Sequence, residues 1–434
     1  MHIGETSLRV TSLLAAGLRR PKLRTDLRVS RQVVLGEVTY VIKVLDTDTY
    51  YRFEGFEWET LCLFDGTRTY RAAWDELRRR DPGTEITLAE LEDFVSTAGA
   101  RLWEKSITEK NLALLEKIRS ERKERGERSS IFYLSFSAFN PDPFFRWIHP
   151  YIRWLWTREF VIVSLALFIF AIWVFVAEWD RLLGDTAALW SFQGKSLTDL
   201  AQLWTVILIY GFIHECGHGL TCKHYGGEVK QMGFMLMYFL PAFYTNVTDM
   251  YLFDKDYKRL WTIFAGVWVT ALTAAVALIV WMLAIPGTAL SDWAYKLMLV
   301  NAVNGIFINF NPLMKFDGYY TLCQLLKIDN LREESFVYLK SLIKRYVFGV
   351  KNVELESIGR RRRRIFLLFG PPAFLYTTTM VIVIVLFVNN VLTTKFGLWG
   401  WALTAVFAGL ILRRPVRGLV AFVRERITLL RGSQ

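Results

Sequence analysis

LAQLWTVILIYGFIHECGHGLTC, residues 200–222, is an apolar stretch long enough to cross a membrane, yet it contains two histidines and a glutamate. His214, Glu215 and His218 follow the spacing His-Glu-x-x-His. Residues four apart on an α-helix share a face, so both imidazoles can bind one Zn²⁺ while Glu215 serves as general base. Ionisable groups within a span are costly and usually mark function. The stretch therefore predicts a zinc site inside the bilayer.

A zinc site that performs hydrolysis takes a third protein ligand, and the sequence offers two candidates. His224 lies ten residues after His214, but on a continuous helix it would point away from the other imidazoles. Asp317 lies in NPLMKFDG, at the end of a later apolar segment, at about the same depth as His218. We favour Asp317 as the third ligand; the alternative role for this carboxylate is a salt bridge with Lys315.

The composition is typical of a multi-span membrane protein. Hydrophobic residues make up 53% of the 434 residues, and the formal net charge is +12. We attribute the excess of cations to cytoplasmic loops, so no nucleic-acid partner is expected. The four cysteines show no regular spacing, which predicts free thiols.

We expect a polytopic α-helical membrane protein with about six transmembrane helices. Loops after the first, third and fifth spans carry few cations, whereas those after the others carry many. This alternation places both termini in the cytoplasm, and we expect the bacterial inner membrane. The predicted spans are residues 159–178, 200–222, 260–285, 294–313, 365–389 and 396–412.

Four regions follow from the changes in composition along the chain. They are a small cytoplasmic α/β domain, a helical connector with an interfacial segment, the transmembrane domain and a basic amphipathic tail, at residues 1–98, 99–157, 158–412 and 413–434. In the first region, alternating residues predict strands within 33–44 and 50–53. Helices are expected at 57–64, 70–80 and 87–98, the last with a Thr87–Glu90 capping box.

Residues 226–252 are apolar but contain Gly, Pro, Asn and Asp. Irregular backbone cannot face lipid, so this segment must pack against protein or line a wet cavity. It looks like a turn followed by strands that dip into the membrane. We expect an edge here that holds substrate as an extended strand, with Asn246 and Asp249 as candidate substrate-binding residues.

These motifs resemble the site-2 protease family of intramembrane zinc metalloproteases, and most closely a branch of peptide zinc metalloproteases. The resemblance covers roughly residues 200–330 and rests on HECGH and NPLMKFDG. It implies that His214, His218 and Asp317 hold the zinc, with Glu215 as general base. It also implies that Asn311 holds the substrate backbone or the developing oxyanion. The family often has an Ala-Gly-Pro/Asn signature at the start of the third span, and here only Ala265-Gly266 remains, followed by Val267-Trp268.

The N-terminal region resembles the PqqD-like winged-helix fold. The resemblance rests on Pro21-Lys22-Leu23-Arg24, the paired strands, and Leu63-Phe64-Asp65-Gly66. It implies a domain that grips a leader peptide by adding it as a strand, with Val38 to Val44 as the docking edge. The alternative is a small regulatory or anchoring domain.

Two functions from different classes remain open at this point. The first is a membrane protease that cleaves a membrane-associated peptide or a single-span protein. The second is a non-proteolytic component of a peptide maturation or export system that keeps zinc for structure. A transporter is not supported, because the sequence has no repeated halves. Expected partners are the substrate, the lipid bilayer, and further copies of the chain or another membrane protein.

Overall fold

The computed structural model describes residues 20–34, 36–45, 47–83, 86–98, 101–104, 133–190, 197–237, 240–347 and 358–410. The chain divides into two compact units. The first comprises the residues up to Asn311 together with Tyr320–Lys327, and the second comprises Pro312–Tyr319 and the residues from Ile328 onward. The predicted tail at 413–434 lies outside the described residues, as does most of the predicted connector helix at 99–128.

The N-terminal domain contains an antiparallel sheet in the order β1-β2-β3, made of Leu27–Val34, Glu37–Val44 and Thr49–Glu54. Gly36 has a φ of +92°, which allows the tight turn between the first two strands. The predicted strand segment 33–44 is thus a hairpin. β2 is the middle strand and is paired on both sides, so the prediction that 38–44 is a docking edge is wrong.

Three helices cover one face of this sheet: α1 (Gly55–Cys62), α2 (Tyr70–Arg80) and α3 (Leu88–Thr97). Their positions agree with the predicted helices, and the Thr87–Glu90 capping box is present. Ile42 and Phe53 of the sheet are buried against Leu61 and Leu91 of the helices.

The segment before the first long helix contains a strand that the sequence analysis did not predict. Residues 133–139 form strand β4 (Tyr133–Phe139), which is followed by α4 (Asp142–Ile152), and the interfacial position of this segment stays a prediction. β4 pairs antiparallel with β5 (Met232–Met237), which pairs with β6 (Leu240–Thr245). The predicted membrane-dipping strands are therefore β5 and β6 of a three-stranded sheet.

Three described helices are long and apolar enough to cross a membrane: α5 (Arg158–Ala177), α8 (Asp256–Leu283) and α12 (Arg360–Phe396). They coincide with the predicted spans 159–178, 260–285 and 365–389. The other predicted spans are helical but are not among these three. They contain α7 (Leu197–His224), α9 (Ala289–Val300) with the π-helix Asn301–Ile308, and α13 (Leu398–Leu410). Six spans stay a prediction, and α6 (Trp179–Trp190) occupies the predicted loop after the first span.

The helices of the first unit position its buried polar groups. α8 packs along both α7 and α9. Trp281 of α8 is fully buried, and its indole N–H donates to Asp185 of α6 at 2.9 Å. A short 3-10 helix, Thr248–Leu252, connects β6 to α8.

The second unit has its own packing, and α10 (Asp317–Leu326) begins within it. α11 (Leu331–Leu342) lies against α12, with the rings of Tyr338 and Phe366 5.9 Å apart. A Cβ atom at Gly370 would lie 2.5 Å from Leu339, so glycine is needed where these helices approach.

Candidate metal centre

The two motif histidines lie on one buried face of α7. His214 is 4% exposed and His218 is 6% exposed. Their rings are nearly perpendicular, and the two Nε2 atoms are 3.3 Å apart. The i, i+4 spacing therefore brings two nitrogen ligand atoms to one point, as the sequence predicts.

Hydrogen bonds from α8 fix the tautomer of each imidazole. Nδ1 of His218 lies 2.8 Å from the carbonyl oxygen of Thr262, which can only accept, so this nitrogen carries the proton. Nδ1 of His214 lies 2.9 Å from Oγ1 of Thr270. That hydroxyl donates its own proton to the carbonyl of Gly266 at 2.8 Å, so it accepts from His214. Both Nε2 atoms are left with lone pairs.

Two acceptor nitrogens at this separation suit a shared metal ion. Zn–N bonds of about 2.0–2.1 Å at a tetrahedral angle place two nitrogens roughly 3.3 Å apart. The observed Nε2 separation is 3.3 Å. Outer-shell oxygens on Nδ1 are also the usual partners of zinc-binding histidines. The imidazole pair fits zinc in donor type, tautomer and spacing.

Glycines allow α8 to approach the imidazoles. A Cβ atom at Gly266 would lie 2.3 Å from Nε2 of His218 and 2.7 Å from Nε2 of His214. A Cβ atom at Gly217 would lie 3.0 Å from the carbonyl oxygen of Ala265. Gly266 thus forms the wall behind the candidate site.

The π-helix Asn301–Ile308 supports Thr270 from the other side. A Cβ atom at Gly305 would lie 1.9 Å from the Thr270 methyl group, so only glycine fits there. One turn along α8, the Thr273 hydroxyl donates to the Asn301 side chain at 2.7 Å. π-helical turns are frequent at functional sites, and this one holds the outer shell of His214.

Asp317 is half-buried at the start of α10. His214 and His218 each offer an imidazole nitrogen and Asp317 a carboxylate oxygen, the donor types that Zn²⁺ takes, and Asp317 as the third ligand stays a prediction. The predicted alternative partner of Asp317, Lys315, forms an ion pair with Glu333. Glu215 is half-buried on α7, and its carbonyl oxygen accepts a hydrogen bond from the Thr245 hydroxyl at 3.3 Å.

An asparagine that the sequence reasoning missed faces the pair. Nδ2 of Asn309 lies 3.4 Å from Nε2 of His214 and donates to the Tyr210 hydroxyl at 2.9 Å. Asn309 follows the π-helix, and its amide N–H bonds back to Asn304. The predicted residue Asn311, two positions later, is half-buried, and its amide N–H donates to Ile308 at 3.3 Å.

His224 lies elsewhere, beyond the end of the candidate site. Its Nδ1 is 3.0 Å from Nε2 of His149, and its ring stacks on Trp156 with the centroids 4.7 Å apart. His224, which we did not favour as the third ligand, therefore contacts His149 of α4 and the nearby Trp156.

The two candidate substrate residues of the 226–252 segment have local partners. Asn246 is exposed, and its side-chain oxygen accepts from the amide and hydroxyl of Thr248. Asp249 is 3% exposed, and its carboxylate accepts from Lys43 and from the Glu228 amide. Substrate binding by these residues stays a prediction, and the contacts of Asp249 do not favour it.

A pattern in the sequence could have revealed the outer shell. Thr262, Gly266 and Thr270 recur every four residues in the third predicted span. That spacing places a polar and small stripe on one helix face, complementary to the spacing of the two histidines. The four cysteines are free, as predicted.

Comparison with known proteins gives one distant similarity to report. No family model matches the chain, and no solved structure matches it. The chain is similar to the Bacillus subtilis (strain 168) protein named "Putative peptide zinc metalloprotease protein YydH", with 26% identity over 133 residues. The match covers 30% of this chain and spans about half the length of that curated relative. The similarity supports a relation to zinc metalloproteases, in agreement with the predicted chemistry of the site.

Proposed function

We propose that this protein is an intramembrane zinc metalloendopeptidase of the site-2 protease type. Its substrate is a membrane-associated peptide or a single-span protein, cut near the cytoplasmic face of the bacterial inner membrane. The observation that carries the proposal is the pair of buried Nε2 atoms, 3.3 Å apart, on His214 and His218. Burying two imidazoles within an apolar helix costs free energy, and binding of a metal ion by both rings offsets that cost.

The residues of the site have separate roles in this proposal. His214, His218 and Asp317 hold the ion, which when bound supplies a Lewis acid for the scissile carbonyl and for water. Glu215 takes the proton from the attacking water and passes it to the leaving amine. The amide of Asn309, fixed by Tyr210, donates a hydrogen bond to the charge that develops on the carbonyl oxygen.

Strand β6 provides a place for the substrate backbone. It is the outer strand of its sheet in the described part of the chain, and it runs along α7. The rings of Phe243 and Phe212 are 6.0 Å apart, and Thr245 reaches the carbonyl of Glu215. A substrate added as a strand beside β6 would have its carbonyl groups freed from helical hydrogen bonds and presented near Glu215.

Zinc analysis and peptide trapping test the proposal. Purified protein is expected to hold about one zinc ion per chain, and His214→Ala, His218→Ala or Asp317→Ala to lose most of it. Glu215→Gln should keep the zinc, abolish cleavage and co-purify with an uncut membrane peptide. His224→Ala is the matched control and should keep both zinc and activity. If His224→Ala strips the metal and Asp317→Ala does not, the ligand set is wrong.

The same experiment separates this function from a non-proteolytic role in peptide maturation or export with a structural zinc site. A structural site binds zinc through four protein ligands and has no use for a general base. Wild-type protein that holds zinc but yields no product, and a Glu215→Gln variant that traps no peptide, would favour that alternative.

A further inference from the structure

The sheet of the N-terminal domain has a second face that is polar and buried. In the strand register, Lys43 of β2 lies opposite Arg28 of β1 and Tyr50 of β3, so the three side chains share that face. Lys43 is 1% exposed and Gln32, on the same face, is 2% exposed. Buried polar side chains need partners, and here the partners lie about 200 residues further along the chain.

Asp249 is the centre of this contact. One carboxylate oxygen accepts from Nζ of Lys43 at 2.6 Å and from the hydroxyl of Tyr50. The other oxygen accepts from the backbone amide of Glu228 at 2.9 Å. Asp249 is 3% exposed, so the ion pair is almost fully shielded from water. Two side chains of the N-terminal domain therefore fix one carboxylate in the segment between α7 and α8.

Gln32 makes a second connection to the same segment. Its amide donates to the carbonyl oxygens of Tyr251 at 2.5 Å and Phe253 at 3.1 Å. Its side-chain oxygen accepts from the guanidinium of Arg259 in the first turn of α8. Thr262, whose carbonyl fixes the tautomer of His218, follows Arg259 by three residues.

The fixed segment leads directly to the candidate site. Four residues before Asp249, Thr245 ends strand β6 and bonds to the carbonyl of Glu215. A Cβ atom at Gly211 of α7 would lie 3.1 Å from the Phe243 ring, so β6 lies close along this helix. Any displacement of Asp249 would move the end of β6 relative to the general base.

We propose that Lys43 and Tyr50 are positioning residues for the proposed peptide-bond hydrolysis, acting through Asp249 on the register of strand β6. This inference rests on the proposed function. The N-terminal domain then serves as a fixed clamp on the strand that receives the substrate, rather than as a freely tethered module. A loosened clamp would let the substrate strand occupy more than one position beside Glu215. Both the turnover number and the choice of the scissile bond depend on that position.

The test uses the full-length protein and Lys43→Met, which removes the ammonium group and keeps most of the side-chain volume. The probe is a synthetic Leu/Ala-rich single-span peptide, with products mapped by mass spectrometry. We expect kcat to fall on the order of 10- to 100-fold, with KM little changed and cleavage spread over neighbouring bonds. Zinc content should be unchanged, and hydrogen exchange in residues 240–253 should rise. Lys43→Arg should restore a single cleavage position.

Two further variants make the result decisive. Arg31→Met removes an exposed cation from the same sheet and should behave as wild type. If Lys43→Met folds poorly, the double variant Lys43→Met/Asp249→Asn leaves no lone buried charge and should show the same loss. Wild-type cleavage with unchanged kcat, cleavage site and hydrogen exchange in these variants would overturn the inference. A wild-type protein that does not cleave would instead reject the proposed function.

Discussion

The carbonyl oxygen of Thr262 lies 2.8 Å from Nδ1 of His218, and it can only accept the imidazole proton. In the neutral imidazole, this contact places the proton on Nδ1 and makes Nε2 the acceptor nitrogen. The Thr270 hydroxyl donates its proton to the carbonyl oxygen of Gly266, so it accepts a hydrogen bond from Nδ1 of His214 in the same way. Hydrogen bonds from α8 thus orient both imidazoles. The resulting pair of Nε2 atoms favours metal ions that bind imidazole nitrogen.

The wall behind the imidazoles gives the first prediction. Gly266→Ala should lower the zinc content of the purified protein severely, because the new Cβ atom would lie 2.3 Å from Nε2 of His218. Gly184→Ala is the matched control, since no atom lies within 4 Å of its added Cβ. Metal analysis by mass spectrometry measures both. Full zinc occupancy in Gly266→Ala would mean that α8 does not approach the site this closely.

The outer shell gives the second prediction. Thr270→Val keeps the shape of the side chain but removes the hydroxyl that accepts from His214. We expect zinc affinity to fall about 10- to 100-fold, measured by competition with a fluorescent chelator. Thr205→Val is the matched control. Thr205 is an exposed residue of α7 whose hydroxyl donates to the carbonyl of Ala201 in the same helix, so its removal should leave the zinc affinity unchanged. Equal affinities in the two variants would contradict the role of Thr270.

The two asparagines before Asp317 give the third prediction. Asn309→Ala should retain zinc and lower kcat about a hundredfold, because it removes the amide that faces His214. Tyr210→Phe should show a smaller loss, since it only frees that amide to rotate. Asn311→Ala tests the residue that the family resemblance implies. A large loss in Asn311→Ala with none in Asn309→Ala would return the role to Asn311.

The anchoring of α4 gives the fourth prediction. Partial burial alone would raise the pKa of Asp142, but hydrogen bonds from Lys223 and the Val229 amide outweigh it, and the pKa lies below its ordinary value. Stability from this depressed pKa is fully present above the ordinary carboxyl range and is lost as the pH falls through the folded pKa. Asp142→Asn should cost roughly 1–3 kcal/mol at pH near 7. Thermal unfolding of both proteins should show that this difference shrinks in acid.

Membrane orientation gives the fifth prediction. Cysteine labelling or reporter fusions should place residues 1–150, 328–364 and 413–434 in the cytoplasm, and residues near 185 and 392 outside. The reason is the alternation of cation-rich and cation-poor loops. An external C-terminus or an odd number of spans would overturn the argument from charge and move the site to the other membrane face.

The local features of this molecule could be predicted from sequence because each depends on neighbours along the chain. The His-Glu-x-x-His spacing fixes which side chains share a helix face, and the Thr87 capping box fixes where α3 begins. The contact of Lys43 with Asp249 could not be predicted, because it joins residues 206 positions apart with no local pattern. The choice between Asn309 and Asn311 depends on the direction of the chain as it leaves a π-helix, which composition does not encode.

Strand β4 was not predicted, for a different reason. YLSFSAF alternates as a strand should, but its aromatic content and the prolines that follow are also typical of an interfacial segment. The partner that decides the matter, β5, lies about a hundred residues later and is itself apolar. Strand formation here depends on a pairing that no window of sequence contains.

The buried joint between Lys43 and Asp249 also sets an order of events during synthesis. The last helix of the N-terminal domain ends at Thr97, 152 residues before Asp249, the carboxylate on which the domain docks. At about 5–20 residues per second, this domain has roughly 8–30 s to fold before its docking segment exists. The segment after α7 therefore leaves the ribosome when the N-terminal domain has already folded.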